Sequence, residues 1–316
     1  MFKIIELFAG IGTPRRALEL ANIPHKTIWF SEIDNYAEQS YRAIYNDYKT
    51  PNLNDITKID VANLTKEKID IIIGGWPCQD ISKAGFLKGM DKDSGTRSSL
   101  LWDTLKIIKF YKPKWIINEN IDNVLSEKNF KNIQKYCEYL NNLGYETDYK
   151  ILNAKDYGIP QKRKRIFIIS KLNENWIWKF PWPTQKLLEY QFKDIVNWTI
   201  PGNKEIPKGT TFHNGFILLN GTRNSWDYCP NADEKLYPTL TTKADRTKVL
   251  LNDKYRYLTT DEMTLLMGYT LNDLEKMLSV NSKSQIQKQL GNSIVPNVLK
   301  YIFLNLVKEN ENDKNS

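Results

Sequence analysis

The segment from Ile69 to Gly75 constrains the fold most. Ile69-Asp70-Ile71-Ile72-Ile73 is β-branched along nearly its whole length and stops at Gly74-Gly75. A short run without polar alternation suits a strand covered on both faces, the condition of a parallel sheet flanked by helices. Ile4 to Phe8, Thr27 to Ser31, Trp115 to Asn118, Tyr145 to Leu152 and Ile166 to Ser170 also read as strands. Between them, Pro14 to Ala21, Tyr36 to Tyr45, Ser98 to Phe110 and Phe130 to Leu143 read as helices. Thr13 is expected to cap the first helix, with Pro14 at its first helical position. Strands alternating with helices predict an α/β fold with a doubly wound, mostly parallel sheet.

The pattern changes near Lys171. From there to about Leu250 the chain is rich in Pro, Gly, Asn and Thr and lacks long helical patterns. This stretch holds five of the nine tryptophans, Trp176, Trp178, Trp182, Trp198 and Trp226, read as core in preference to stacking surface. A second, smaller, loop-rich domain is expected. Helical character returns at Thr260 to Met267 and Ser293 to Lys308, and the polar tail from Lys308 to Ser316 is expected to be disordered. The expected division is residues 1–175 with 285–316 in one domain and 176–284 in the other. A chain of 316 residues supplies ample core for either one large or two modest domains.

Composition narrows the function classes. No apolar run approaches the roughly 18 residues a membrane span needs. Phe2 to Phe8 enters a strand at once, which leaves no room for a signal peptide, so a cytoplasmic location is expected. The net charge of +8 favours a polyanionic partner, although lysine-rich composition also arises from AT-rich coding. Cys78, Cys137 and Cys229 are far apart, and His25 and His213 are the only histidines. No metal centre, disulfide framework or histidine-based triad is expected, so any nucleophile needs another means of activation.

Phe8-Ala9-Gly10-Ile11-Gly12 lies between the first strand and the first helix, where glycines permit a sharp turn and close approach of a ligand. Glu32 follows the second strand after about 20 residues, the spacing of a carboxylate that holds a ribose. Asp55, in Asn54-Asp55-Ile56-Thr57, is placed to accept from an adenine amino group. The third glycine of the dinucleotide fingerprint is missing, and Thr13-Pro14-Arg15 stands where a pyrophosphate would rest. That favours a nucleoside without phosphates, S-adenosylmethionine. On these residues alone, plain turn glycines and a solvated Glu32 stay equally open.

Cys78 follows the buried strand and its two glycines, at the carboxyl end where open α/β sheets place ligands. Most lone cysteines are structural, but this one sits between Pro77 and Gln79 at a strand end. Glu119 ends another buried strand in Ile116-Ile117-Asn118-Glu119-Asn120, where a partly buried acid can hold a proton near neutral pH, or can simply cap the turn that follows. Arg163 and Arg165 alternate in Gln161-Lys162-Arg163-Lys164-Arg165 and are expected to point into one site. Cys137 reads as core, and Cys229 has no companion.

These motifs resemble, in order, those of cytosine-5 DNA methyltransferases of the bacterial and phage type. They are Phe8-Ala9-Gly10-Ile11-Gly12, Glu32, Asp55-Ile56, Pro77-Cys78-Gln79, Glu119-Asn120-Ile121, Gln161 to Arg165 and Gly291-Asn292-Ser293-Ile294-Val295-Pro296, with Arg256 to Tyr269 resembling the segment that closes the recognition domain. The resemblance covers nearly all of the chain except about Lys171 to Leu250. It implies a catalytic, S-adenosylmethionine-binding domain and a target-recognition domain. It implies that Cys78 attacks carbon 6 of a flipped cytosine, that Glu119 contacts ring nitrogen 3 and the amino group, and that Arg165 contacts the 2-oxo group with Arg163 in support. The cofactor would be held by Phe8, Ala9, Gly10, Gly12, Glu32, Ile33, Asp55, Ile56, Pro77, Leu100, Asn292 and Ile294. Gln79 to Leu100 resembles a mobile catalytic loop, whose Gln79, Ser82, Lys83 and Arg97 would meet DNA, as would Thr239 and Leu240 of the recognition segment. Ile33 stands where the family often has tryptophan, and Ile121 is a conservative change at the third position of the Glu-Asn motif. The implied partner is double-stranded DNA, with a restriction endonuclease for the same site as a further partner and a monomer as the expected state. Two rivals are an RNA methyltransferase on the same scaffold, whose Cys-Phe-Thr signature the chain lacks, and a non-catalytic DNA-binding relative, disfavoured by intact Cys78, Glu119 and Arg165.

Overall fold

A computed structural model describes residues 1–81, 88–173, 178–206, 208–213, 216–220, 222–242 and 247–315. The main sheet is built from β1 (Phe2–Leu7), β2 (His25–Ser31), β3 (Ile71–Gly74), β4 (Trp115–Asn120), β5 (Tyr145–Asn153) and β7 (Lys164–Leu172), with the two-residue β6 (Gln161–Lys162) just ahead of β7. The order is β2-β1-β3-β4-β7-β5. The first four strands run parallel, and β7 is antiparallel to both β4 and β5. Every residue of β3 and β4 is buried, as the unbroken apolar runs required.

The two-residue period of the strands divides the core between the two faces. Ile4, Ile71, Ile73, Ile117, Phe167 and Ile169 face one layer, and Ile5, Leu7, Ile72, Ile116, Ile166 and Ile168 face the other. Each such side chain contributes about 1.5–3 kcal/mol by leaving water. The flanking helices are α1 (Thr13–Leu20), α2 (Asn35–Tyr45), α3 (Thr104–Tyr111) and α4 (Glu127–Asn142). After the short α5 (Phe192–Ile195) come α6 (Thr260–Leu266), α7 (Leu271–Leu278), α8 (Lys283–Asn292) and α9 (Pro296–Asn315).

Three expectations are corrected. Gly12, not Thr13, caps α1: it takes φ 77°, and a Cβ there would come within 2.5–2.7 Å of the Tyr45 and Tyr41 rings. Thr13 is helical, and its hydroxyl pairs with that of Tyr269 at 2.7 Å. The stretch from Ser98 to Phe110 is not one helix, because a 3₁₀ turn capped by Thr96 (Arg97–Leu101) precedes α3. The polar tail is not disordered: α9 runs to Asn315. Lys171 holds it, with Nζ 2.7 Å from Asp313 Oδ1 and 3.6 Å from Glu309, while Trp115 and Trp178 donate to Asn310 and Glu309. Helices α7 and α8 were not anticipated, because each is only a few turns long and owes its start to a local cap, Thr270 with Asp273 and Ser282 respectively.

The region after Lys171 is loop-rich. Three short strands, β9 (Thr210–His213), β10 (Phe216–Leu219) and β11 (Thr222–Tyr228), form one small sheet. A second contains β8 (Lys204–Glu205), β13 (Lys248–Leu251) and β14 (Lys254–Tyr257). The two-residue β12 (Tyr237–Pro238) pairs in parallel with β6. Trp178 and Trp182 pack in an aromatic cluster around Phe180, as core, whereas Trp198 is half exposed. Trp176 lies outside the described residues. Among the described residues, no helix is long and apolar enough to cross a membrane.

Candidate active site

The chain leaves β3 through Gly74-Gly75-Trp76-Pro77-Cys78. A Cβ on Gly74 would stand 2.5 Å from the Leu7 carbonyl, and one on Gly75 2.8 Å from Glu119 Oε2. The glycines therefore let the end of β3 lie close against Leu7 of β1 and leave room for a carboxylate. Pairing of Gly74 with Asn118 sets Glu119 beside Gly75. Neighbouring groups hold the loop's carbonyls. Asn120 Nδ2 donates to Trp76 O at 2.8 Å, Ser98 Oγ to Pro77 O at 2.8 Å, and the Ile81 amide to Cys78 O at 3.1 Å.

Glu119 is 9% exposed and meets Arg165, with Nε 3.2 Å from Oε1. Burial lifts the Glu119 carboxyl above the ordinary carboxylate range, against the pull of Arg165 and then Arg163. Burial likewise pushes the Cys78 thiol up, with Arg165 again the main opposing charge. One corner thus holds a thiol, a carboxyl group inclined to keep its proton, and a guanidinium that touches the carboxyl. Such a corner can donate a hydrogen bond to a ring nitrogen while a sulfur attacks the ring.

Arg163 lies behind Arg165. It is 2% exposed, and its Nη1 donates to Leu240 O at 2.9 Å while Nη2 donates to Gly291 O at 2.9 Å and Ser293 O at 2.6 Å. Burial, reinforced by the charge of Arg165, lowers its pKa well below the usual arginine range. Its two Nη groups are spent on three carbonyls, which joins chain segments, while its buried Nε has no partner among the described residues and its charge still acts on Cys78 and Glu119 from behind.

At the other end of the site the turn after β1 is strained. Phe8 has φ 53°, Gly10 55° and Gly12 77°. A bulky residue in the left-handed region is unusual, and such strain concentrates at ligand sites. The Gly10 amide donates to Glu32 Oε2 at 2.7 Å and the Asp34 amide to Oε1 at 2.8 Å. Burial lifts the Glu32 carboxyl despite these bonds. Ala9 is buried beside them, Ile33 is 69% exposed, and nothing lies within 4 Å of a Cβ built on Gly10. An open space above a glycine, beside a fixed carboxylate and an exposed apolar side chain, fits a nucleoside. Asp55 accepts from the amide and hydroxyl of Thr57, which hold it ionised below the usual range, and Ile56 is buried. Phe8, Cys78 and Leu100 pack against the apolar cluster on the same face of the sheet. Ile294 is buried within 3.8 Å of a Cβ on Gly75, and Asn292 is exposed at the end of α8.

The residues expected to meet DNA are dispersed. Gln79 is half-buried, with its Oε1 buried and unpartnered. Ser82 and Lys83 lie outside the described residues. Arg97 is exposed, and its amide donates to Asp80 Oδ2 at 2.7 Å. Thr239 Oγ1 donates to Lys162 O at 2.6 Å. Leu240 is corrected: it is 1% exposed, and its amide and carbonyl are both taken, by Gln161 Oε1 and Arg163, so it presents no side-chain surface to DNA. Asp80, Ser98 and Gly75 were missed. Each acts on a partner distant in sequence, so although Gly75 lay in the run before Cys78, and Asp80 and Ser98 in the segment Gln79 to Leu100, no local pattern showed these contacts. Among the described residues no cluster of His, Cys, Asp or Glu could hold a metal ion.

Fold and site define a methyltransferase of the doubly wound class. The fold matches solved structures of the Schizosaccharomyces pombe Dnmt2 methyltransferase (TM-score 0.70, 19% identity, 98% of this chain and 100% of that one) and the Entamoeba histolytica methyltransferase EhMeth (0.73, 20%, 98% of each). The model of C-5 cytosine-specific DNA methylases matches residues 2–308. The chain is 33% identical to the Type II methyltransferase M2.ScrFI of Lactococcus lactis subsp. cremoris, over 98% of this chain and 99% of that one. It is 32% identical to M.HhaI of Haemophilus parahaemolyticus, over 96% and 94%. The chain belongs to the C-5 cytosine-specific DNA methylase family and is a DNA cytosine methyltransferase.

Proposed function

We propose that the chain methylates carbon 5 of a cytosine flipped out of duplex DNA, with Cys78 bonding transiently to carbon 6. The observation that carries this reading is the juxtaposition of Cys78, Glu119 and Arg165 at the ends of adjacent strands, with Gly75 leaving space for the carboxyl group. Glu119 hydrogen-bonds ring nitrogen 3 and the amino group and Arg165 the 2-oxo group, so the ring accepts electrons as the Cys78 sulfur attacks carbon 6. Electron density then gathers at carbon 5. S-adenosylmethionine, when bound, supplies an electrophilic sulfonium methyl for that carbon. The carbon 5 proton leaves to a base, the electron pair re-forms the double bond, and the Cys78 thiolate is expelled. Arg163 positions this machinery from behind.

The cofactor's holders are Phe8, Ala9, Gly10, Gly12, Glu32, Ile33, Asp55, Ile56, Pro77, Leu100, Asn292 and Ile294, with Glu32 on the ribose and Ile33 over the adenine. Residues 1–175 and 285–316 form the catalytic domain, and 176–284 the recognition domain with its closing segment. Gln79, Ser82, Lys83, Arg97 and Thr239 are the proposed DNA contacts. A cytoplasmic location and a partner endonuclease of the same specificity complete the proposal.

The test is trapping on duplex DNA carrying 5-fluorocytosine, with bisulfite sequencing to find the methylated base. A covalent adduct is expected, and Cys78→Ser should lose both adduct and methylation while still binding cofactor and DNA. An adduct that survives Cys78→Ser, or methylation by that variant near the wild-type rate, overturns the mechanism.

A further inference from the structure

Cys78 lies on the outgoing limb of a long excursion of the chain, which leaves β3 at Gly74 and returns at the 3₁₀ turn Arg97–Leu101. Asp80 ties the two limbs together. Its carboxylate Oδ2 accepts the Arg97 amide at 2.7 Å, and its carbonyl accepts the Gly89 amide at 3.0 Å. Residues 17 positions apart in sequence are thus joined through one side chain. Asp80 is 6% exposed, which shields the bond from competing water. Nearer β3 the limbs meet again, where Ser98 Oγ donates to the Pro77 carbonyl.

The returning limb is itself held from behind. Trp102 Nε1 donates to the Met90 carbonyl at 3.0 Å, and Asn132 Nδ2 of α4 donates to Asp91 Oδ1 at 2.8 Å. Within the limb, Thr96 Oγ1 donates to the Gly89 carbonyl at 3.1 Å. Met90 is fully buried. That limb therefore serves as a fixed post, and Asp80 fastens the thiol-bearing limb to it two residues after Cys78. The Ile81 amide donates to the Cys78 carbonyl, so the fastened residue lies inside the turn that Cys78 opens. A carboxylate suits the task, because its bonds to backbone amides are about twice as strong as neutral ones.

We propose that Asp80 is a positioning residue for methyl transfer: it clamps the limb that carries Cys78 to the limb that returns at Arg97, and so fixes the sulfur against the reacting base. The inference rests on the chemistry proposed above for Cys78. Asp80 acts through the backbone of the Cys78 turn. Its loss should loosen the sulfur and leave the cofactor turn at Gly10 and the Glu119–Arg165 pair in place, because these stand on other strands.

The experiment compares the full chain as wild type, Asp80→Ala and Asp80→Asn. It measures the single-turnover methylation rate on a duplex carrying the target found by bisulfite sequencing, the affinities for S-adenosylmethionine and for that duplex, and the melting temperature. It also follows alkylation of Cys78 by iodoacetamide in the free chain, read by mass spectrometry against Cys137. Asp80→Ala should slow methylation by about 10- to 100-fold, with both affinities changed less than about twofold. Its Cys78 should alkylate at least about threefold faster while Cys137 does not. Asp80→Asn keeps an oxygen for the Arg97 amide and should stay within about threefold of the wild-type rate. A wild-type rate in folded Asp80→Ala overturns the proposal. So does a folded Asp80→Asn as impaired as Asp80→Ala, which would give the role to charge and not to the clasp. Loss of cofactor binding or of melting temperature along with the rate in Asp80→Ala makes the residue structural and equally overturns it. A wild-type chain that forms no adduct on 5-fluorocytosine DNA would instead overturn the Cys78 chemistry beneath the proposal, and the alkylation comparison would still test the clasp.

Discussion

Gly75 shows how a residue without a side chain can shape a reactive site. The Glu119 carboxyl occupies the volume that any Cβ at position 75 would need. Gly75→Ala should therefore displace that carboxyl by a fraction of an ångström without disturbing the cofactor turn. Misplacing a reacting group on this scale can cost up to about 100-fold in rate. We expect the methylation rate to fall at least about tenfold, with the affinity for S-adenosylmethionine changed less than about twofold, as read by single-turnover methylation and calorimetric titration. Cys78, Glu119 and Arg165 were all legible in the sequence, because each stands at the end of an apolar strand or in an alternating basic run. Gly75 was visible only as punctuation after a strand. Its purpose depends on β4 lying beside β3, which no local pattern states.

At the scale of elements, strands and sheet-covering helices emerged from the sequence within a few residues, because burial on one or both faces imposes a period. Failures came where partners outside the element decide the outcome. Thr13 has the chemistry of a cap, but the crowding of Gly12 against Tyr41 and Tyr45 and the bond to Tyr269 set a different start for α1. The tail from Lys308 is polar, as disordered tails are, yet it is helical because Lys171 needs carboxylates. Lys171 is 6% exposed and bridges Asp313 and Glu309, with its Nζ 5.5 Å from the centre of the Trp115 ring. Removing residues 309–316 should strand this ammonium group and cost about 2 kcal/mol, a figure discounted for the solvent reaching Asp313. Urea unfolding of the truncated chain checks it, and an unchanged midpoint would mean that the tail does not pair in solution.

Across the whole molecule, Arg163 ties the ends of the chain's path together. It takes carbonyls from Leu240 and from Gly291 and Ser293, while a Cβ on Gly291 would come within 2.5 Å of the Thr241 backbone. The segment around Leu240 and the turn after α8 are thus locked to the strand that presents Arg165. Arg163→Lys keeps the charge but loses the planar fork, leaving at least one buried carbonyl unpaired at a cost of about 1–3 kcal/mol. We expect a lower unfolding midpoint together with weakened S-adenosylmethionine binding, since Asn292 and Ile294 follow the same turn. A variant that loses methylation with unchanged stability and cofactor affinity would instead place Arg163 at the reacting base.

The sequence by itself determined the elements of the sheet, the order of the motifs and a candidate nucleophile, and the resemblance carried by those motifs pointed to the class of reaction. The elements and the candidate rest on periodicity, strand ends and residue chemistry, which are local properties, and the reaction class rests on the resemblance of the ordered motifs to a known family. Only the tertiary structure decided that Arg163 is a strut, that Leu240 is core, that the tail is a helix, and that Asp80 holds the Arg97 amide. Each of those outcomes depends on which distant backbone comes within hydrogen-bonding or charge-pairing reach. That is a property of chain packing, and the linear order of residues does not encode it locally.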